Sequence, residues 1–150
     1  MEEFGCVRIL VLLISAITLG SCVNIEDCGS KIGNFSNVAV TNCDHSPVCI
    51  LRRNTNVTIQ FDFTPHTNIQ KVKSVVHGIE MGIPIPFPFP DADACSHGLN
   101  CPLFKGKTYS YRATLQVLKK YPRVRVQVKW ELKNEDKRDI ACLLIPAQIK

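Results

Sequence analysis

Along residues 108–117, TYSYRATLQV, apolar and polar side chains alternate: Tyr109, Tyr111, Ala113, Leu115 and Val117 share one face and Thr108, Ser110, Arg112, Thr114 and Gln116 the other. Residues 123–132, RVRVQVKWEL, repeat the pattern, with Val124, Val126, Val128, Trp130 and Leu132 opposing Arg123, Arg125, Gln127, Lys129 and Glu131. A period of two over such lengths predicts half-buried strands. KKYPR joins them as a turn, and Pro122 stops either strand from continuing. VTIQFDF places Val57, Ile59, Phe61 and Phe63 on one side of a third strand. Segments 37–41, 48–52, 72–81 and 139–149 carry a weaker, mixed alternation. No window of helical length has apolar residues at three and four spacing behind a cap. About seven short strands separated by turns predict an all-β, immunoglobulin-like two-sheet β-sandwich.

One stretch departs from this pattern. MGIPIPFPFPDADAC, residues 81–95, has proline at 84, 86, 88 and 90 with Ile85, Phe87 and Phe89 between them. Each proline removes a backbone donor and fixes φ, which excludes a central strand and leaves an edge strand or a polyproline-like segment. In near-β geometry Ile85, Phe87 and Phe89 point the same way and press onto an apolar surface; in a polyproline helix they splay. A rigid loop packed on the core and the rim of an apolar cavity between the sheets are both open readings, and a pre-ordered rim loses little entropy on closing over a ligand.

Cysteines and charge bound the setting. Residues 9–19, ILVLLISAITL, form an apolar run too short to span a bilayer, followed by the small Gly20 and Ser21, so residues 1–22 are expected to be a secretory signal peptide and residues 23–150 the functional domain. A cut after Cys22 leaves an even set: Cys28, Cys43, Cys49, Cys95, Cys101 and Cys142. An even set in an exported chain this small predicts disulfides in an oxidising compartment. Fifteen pairings exist and sequence alone does not choose among them. The shared C-x5-C spacing favours Cys43 with Cys49 and Cys95 with Cys101, leaving Cys28 with Cys142. The Cys–Trp–Cys order of true immunoglobulin domains is missing, because Trp130 follows five of these six. Two sequons, at Asn34 and Asn56, mark candidate N-glycans. Net charge rises from +5 to +6 once Glu2, Glu3 and Arg8 are removed. Lys119, Lys120, Arg123, Arg125, Lys129 and Lys133 gather around one hairpin. Such a run is either a solvated face or a dock for an anionic membrane surface; export and the lack of a recognition module disfavour nucleic acid.

The inventory of reactive groups points away from catalysis. His45, His66, His77 and His97 are scattered, and only His45 and His97, inside the C-x5-C loops, invite a metal reading. Asp91 and Asp93 resemble half a calcium loop without its glycine and closing glutamate. No nucleophile elbow, Walker loop or dinucleotide fingerprint occurs, so neither an enzyme nor a cofactor is expected.

VVHGIEMGIPIPFPFPDADACSHGLNCPLFKGKTYSY, then YPRVRVQVKWEL and CLLIPAQI, together with DCGS at 27–30, closely resembles the Niemann-Pick type C2 group of the ML (MD-2-related lipid-recognition) family. The resemblance covers nearly the whole mature chain. It implies a two-sheet β-sandwich, secreted to the extracellular fluid or the lysosomal lumen, that carries a sterol in an apolar cavity between its sheets and hands it to a membrane or a membrane sterol-acceptor protein; a monomer is expected. It also implies the disulfide pairing favoured by spacing. Three sterol-contacting positions of the family fall on Phe87, Val117 and Tyr121, and pocket-wall positions on Trp130, Ile85, Leu115, Val76 and Ile59. The chain departs from vertebrate members at Leu143, where they carry tryptophan, in a first cysteine loop one residue longer, and at Glu80, where they are apolar. These departures keep apolar carriage but bring in fatty acids or semiochemicals, as in arthropod relatives, or a lipid-presenting module for a receptor.

Overall fold

A computed structural model of the protein describes residues 22–43 and 46–150. The expected signal peptide lies outside the described residues except for Cys22, as does His45. Nine strands follow in chain order: β1 Glu26–Asp27, β2 Gly33–Val40, β3 Cys49–Leu51, β4 Thr55–Pro65, β5 Lys73–Glu80, β6 Ile83–Pro86, β7 Tyr109–Val117, β8 Arg125–Lys133 and β9 Asp139–Ile149. They form two sheets. The larger runs β1-β9-β8-β5-β6, with β3 added in parallel to β9; the smaller runs β2-β4-β7.

The alternating stretches become the long strands β4, β7 and β8, and the segment 139–149 becomes β9. Their inward residues meet between the sheets, where Phe61, Phe63, Leu132, Ile140 and Leu143 are fully buried. At one end of the sandwich the two sheets are fastened by a polar contact: Ser74 on β5 and Tyr111 on β7 share a 2.7 Å hydrogen bond between hydroxyls. Rings continue from it, Phe61 to Tyr111 at 5.1 Å, Tyr111 to Trp130 at 6.3 Å and Trp130 to Phe89 at 5.3 Å. On the outer face of the larger sheet, buried Glu131 is held by Lys133 at 2.7 Å and Lys129 at 3.3 Å, with Lys133 also reaching Asp139 at 2.9 Å. Burial works against the Glu131 charge, yet the hydrogen bond from Lys133 wins and holds the carboxyl below its usual range.

Cys28–Cys142, Cys43–Cys49 and Cys95–Cys101 are bonded. The first closes most of the chain into one loop, which removes roughly 4 to 5 kcal/mol of unfolded-state freedom in the chain-entropy account.

The count of strands exceeds the expected seven because β1 is too short to carry a period and because β6 lies within the proline stretch; the other seven fall on the expected segments. β6 is an edge strand. Gly78 pairs with Ile85 and Glu80 with Ile83. Phe87 continues that parity by donating its N–H to the Val76 carbonyl at 3.0 Å. The alternate residues Pro84 and Pro86 thus turn their missing donors to the outer edge, the place where a sheet tolerates proline. The edge reading therefore holds over the polyproline one for Ile83–Pro86, and the one cis bond among the described residues is Cys101–Pro102, outside the strip.

Candidate functional site

At the opposite end from the Ser74–Tyr111 contact, the sheets leave an apolar cavity of about 30 Å³ between them. Ile59, Leu115 and Trp130, all expected as wall positions, line it together with Val40, Cys49, Leu51, Val57, Val128, Ile145 and Ala147. The additional residues come from the same inward parity. Val57 and Val128 were legible in their strands, whereas Ile145 and Ala147 follow from an alternation in β9 that Pro146 interrupts. A drug-sized ligand needs a site of about 300–1,000 Å³, so one of that size would fit only if the sheets or their edge residues parted.

The other expected residues lie around this hollow. Val76 is buried on β5 beside its cross-strand partner Trp130, and Val117 is buried at the end of β7. Phe87 and Tyr121 form an edge-to-face pair with centroids 5.1 Å apart. Tyr121 stands on the β7–β8 connection, where its N–H donates to the Leu118 carbonyl, and Arg53 donates to the carbonyls of Lys119 at 3.0 Å and Tyr121 at 3.5 Å. Arg53 is thus a support that sequence reasoning missed, since nothing in its neighbourhood announces a contact across so many residues.

Ile85 corrects an expectation. It takes the inward parity of Gly78, but it is 50% exposed and does not line the cavity. The larger sheet outruns the smaller one at β6, so Ile83 and Ile85 face inward with little above them, and Met81 at the turn is 93% exposed. Phe87 and Phe89, by contrast, reach back over the core as the near-β reading expected. Glu80 has inward parity too, at the open end beside this turn, and remains partly exposed.

The Tyr121 hydroxyl near the cavity is buried without a hydrogen-bond partner among the described residues, whereas the buried Trp130 Nε1 faces the Tyr111 hydroxyl. An orphan of this kind costs about 1–3 kcal/mol. Burial also raises the Tyr121 phenol above its ordinary pKa. Burial raises Tyr111 to about 12, against the opposing hydrogen bond from Ser74.

The basic hairpin divides in two. Lys129 and Lys133 are committed to Glu131 and Asp139, whereas Lys119, Lys120, Arg123 and Arg125 are exposed and pair with no carboxylate among the described residues. Gln127 is opposite Ile79, so Arg125 lies at the same end of the sheet as the Met81–Gly82 turn. Exposed apolar side chains and free cations therefore flank Phe87 and Tyr121 together.

The remaining candidate chemistry resolves into structure. Asp93 caps the short 3-10 turn Ala94–Ser96, accepting from Cys95 N and Ser96 Oγ, and His97 pairs with Asp91 at 3.2 Å. Glu131, Asp139 and Cys142 are close enough to suggest an ion, but the Cys142 sulfur is in a disulfide and Lys133 bridges the carboxylates. Asn34 and Asn56 are both exposed on the outer face of the smaller sheet, paired with Thr64 and Gln116.

Comparison with known proteins agrees with this architecture. Residues 22–149 match the family profile described as the ML domain. The chain is 46% identical over 143 residues to NPC intracellular cholesterol transporter 2 homolog a of Drosophila melanogaster, covering 94% of this chain and 97% of that one. It is 41% identical over 148 residues to NPC intracellular cholesterol transporter 2 of Bos taurus, covering 99% of each. The crystal structure of a Niemann-Pick type C2 protein from the Japanese carpenter ant superposes with a TM-score of 0.80 at 32% identity, over 85% of this chain and 99% of that one. With the profile spanning the sandwich from end to end and both relatives aligned over nearly their full length, the chain belongs to the ML domain family, in its Niemann-Pick type C2 group.

Proposed function

We propose that the protein is a non-enzymatic carrier of a single apolar molecule, a sterol or a compound of similar size, held between the sheets and passed to a membrane or an acceptor protein. The observation that carries this reading is the cavity itself: an unfilled apolar space in an otherwise dense core, at the end of the sandwich where Phe87 and Tyr121 close the edge. Native interiors hold few voids larger than a water molecule. The relatives named as cholesterol transporters support the sterol. Phe87, Val117 and Tyr121 form the mouth in this reading, with Val76, Trp130, Leu115 and Ile59 as the wall, while Ile85 meets the ligand only in transit.

Export to the extracellular space or the lysosomal lumen fits the three disulfides, with residues 1–22 removed as the signal peptide and glycans carried on Asn34 and Asn56. The four free cations beside the mouth suit an anionic bilayer, each contributing about 1 kcal/mol near such a surface. Docking there shortens the path of the ligand through water.

A second reading, a fatty acid or semiochemical, draws on the small volume of the hollow, because a slender acyl chain enters with less separation of the sheets than a rigid ring system. The two are separated by extracting the purified secreted protein for native mass spectrometry, then titrating an NBD-labelled cholesterol and an NBD-labelled long-chain fatty acid. The single tryptophan of the chain, Trp130, reports filling of the cavity by quenching. One-to-one binding of the sterol is expected, weakened roughly tenfold, about 1.4 kcal/mol, in Phe87→Ala. Preference for the acid selects the second reading; uptake of neither, with no lipid extracted, overturns the carrier.

A further inference from the structure

Across the inner face of the larger sheet, one row of cross-strand partners reads Ile145, Val128, Gly78, Ile85, from β9 to β6. Ile145 and Val128 line the cavity and Ile85 stands at the exposed edge, so Gly78 occupies the step between inside and outside. It carries no side chain to fill that step. The ring of Phe87 does so instead: a Cβ added at Gly78 would lie 2.5 Å from Phe87 Cε2 and 3.0 Å from its Cζ.

The glycine is present for space and not for backbone freedom. Gly29, Gly82, Gly98 and Gly106 have φ between +79° and +129° and nothing within 4 Å of an added Cβ, while Gly78 has ordinary strand geometry and a crowded inner face. Phe87 for its part has little freedom in the main chain. Its N–H is bonded to the Val76 carbonyl at 3.0 Å, and the prolines at 86 and 88 restrict the backbone on both sides. The ring can leave its seat only by side-chain rotation, away from β5. That movement uncovers a bare strip of backbone leading from the edge to Val128.

We infer that Gly78 is the seat of a gate: a positioning residue that acts through Phe87, lets the ring close flush over the entrance, and so sets how fast an apolar ligand enters and leaves. The inference rests on the carrier reading and specifies its kinetics. Alanine at 78 collides with the far atoms of the ring, not with backbone, so the domain still folds while the ring is held off its seat. Leucine at 87 lacks those atoms and removes the collision.

The test is stopped-flow exchange of the NBD-labelled cholesterol and fatty acid in the full secreted protein, comparing wild type, Gly78→Ala, Phe87→Leu and the double variant. Gly78→Ala should accelerate release about tenfold, with uptake faster as well. In the Phe87→Leu background the same alanine should change release by less than about twofold, the signature of a direct coupling. A general packing defect would act alike in both backgrounds, and that result overturns the gate, as does an unchanged or slower release in Gly78→Ala. If Gly78→Ala fails to fold while the double variant folds and exchanges like Phe87→Leu, the steric coupling is upheld; if neither folds, the glycine is structural and the gate is overturned. Binding of neither probe by wild type overturns the carrier reading and the gate with it, an outcome distinct from binding with unaltered rates.

Discussion

The two ends of the sandwich obey different rules. At the Ser74–Tyr111 end those two hydroxyls are paired, Phe61 packs on Phe63 and Tyr111, and Glu131 is neutralised by two lysines. At the Phe87–Tyr121 end a hydroxyl is buried without a partner, apolar side chains stand in water, an edge strand contains two prolines, and the core is unfilled. Local rules are broken in a native protein where function demands it, and here the violations gather at one end. One half holds the sheets together, and in the proposed carrier the other is where they part.

The contrast is broken most directly by truncating the closed end. Phe61→Ala removes a fully buried ring that touches Phe35, Phe63 and Tyr111, and should cost about 3–5 kcal/mol in denaturant unfolding. A loss under 1 kcal/mol would mean that the two ends do not differ in rigidity. Next in size, Leu115→Phe places extra volume in the 30 Å³ hollow. It should reduce uptake of the NBD probes more than about tenfold while changing stability by less than about 1.5 kcal/mol. Equal uptake would show that ligand lies elsewhere.

The smallest effect concerns pH. Because Tyr111 titrates at about 12 when folded against 10.0 ordinarily, the unfolded chain gives up its proton first as pH rises. Tyr111 therefore leaves stability unchanged below pH 10 and lowers it between pH 10 and about 12. Tyr111→Phe should remove that share of the alkaline loss, seen as a shallower fall of Tm with pH, and should cost about 1–2 kcal/mol at neutral pH by leaving Ser74 unpaired. An unchanged alkaline slope would place the phenol in water.

What was legible in the sequence follows the same division. Strict alternation located β4, β7 and β8 to within two residues and their inward faces with them, which brought Ile59, Leu115 and Trp130 to the cavity. Equal loop spacing located two disulfides, and the third followed. Alternation tells which side a residue faces but not what covers it. Ile85 was placed on the wall by the family resemblance; its parity is inward, but it stands at the edge of the larger sheet and is half exposed. β2 was only partly visible because a bulge between Ser36 and Ala39, with Asn37 at φ 54°, breaks the period. Gly78 gave no signal, since a glycine needed for space looks in sequence like one needed for a turn.

β9 is the most distal of the nine strands in chain order, yet it holds β1, β3 and β8 and supplies Cys142 to the longest disulfide. During synthesis the larger sheet therefore lacks its organising member until the final stretch emerges. A chain stalled before residue 139 would complete the β2-β4-β7 sheet but leave β1, β3 and β8 without the strand they share.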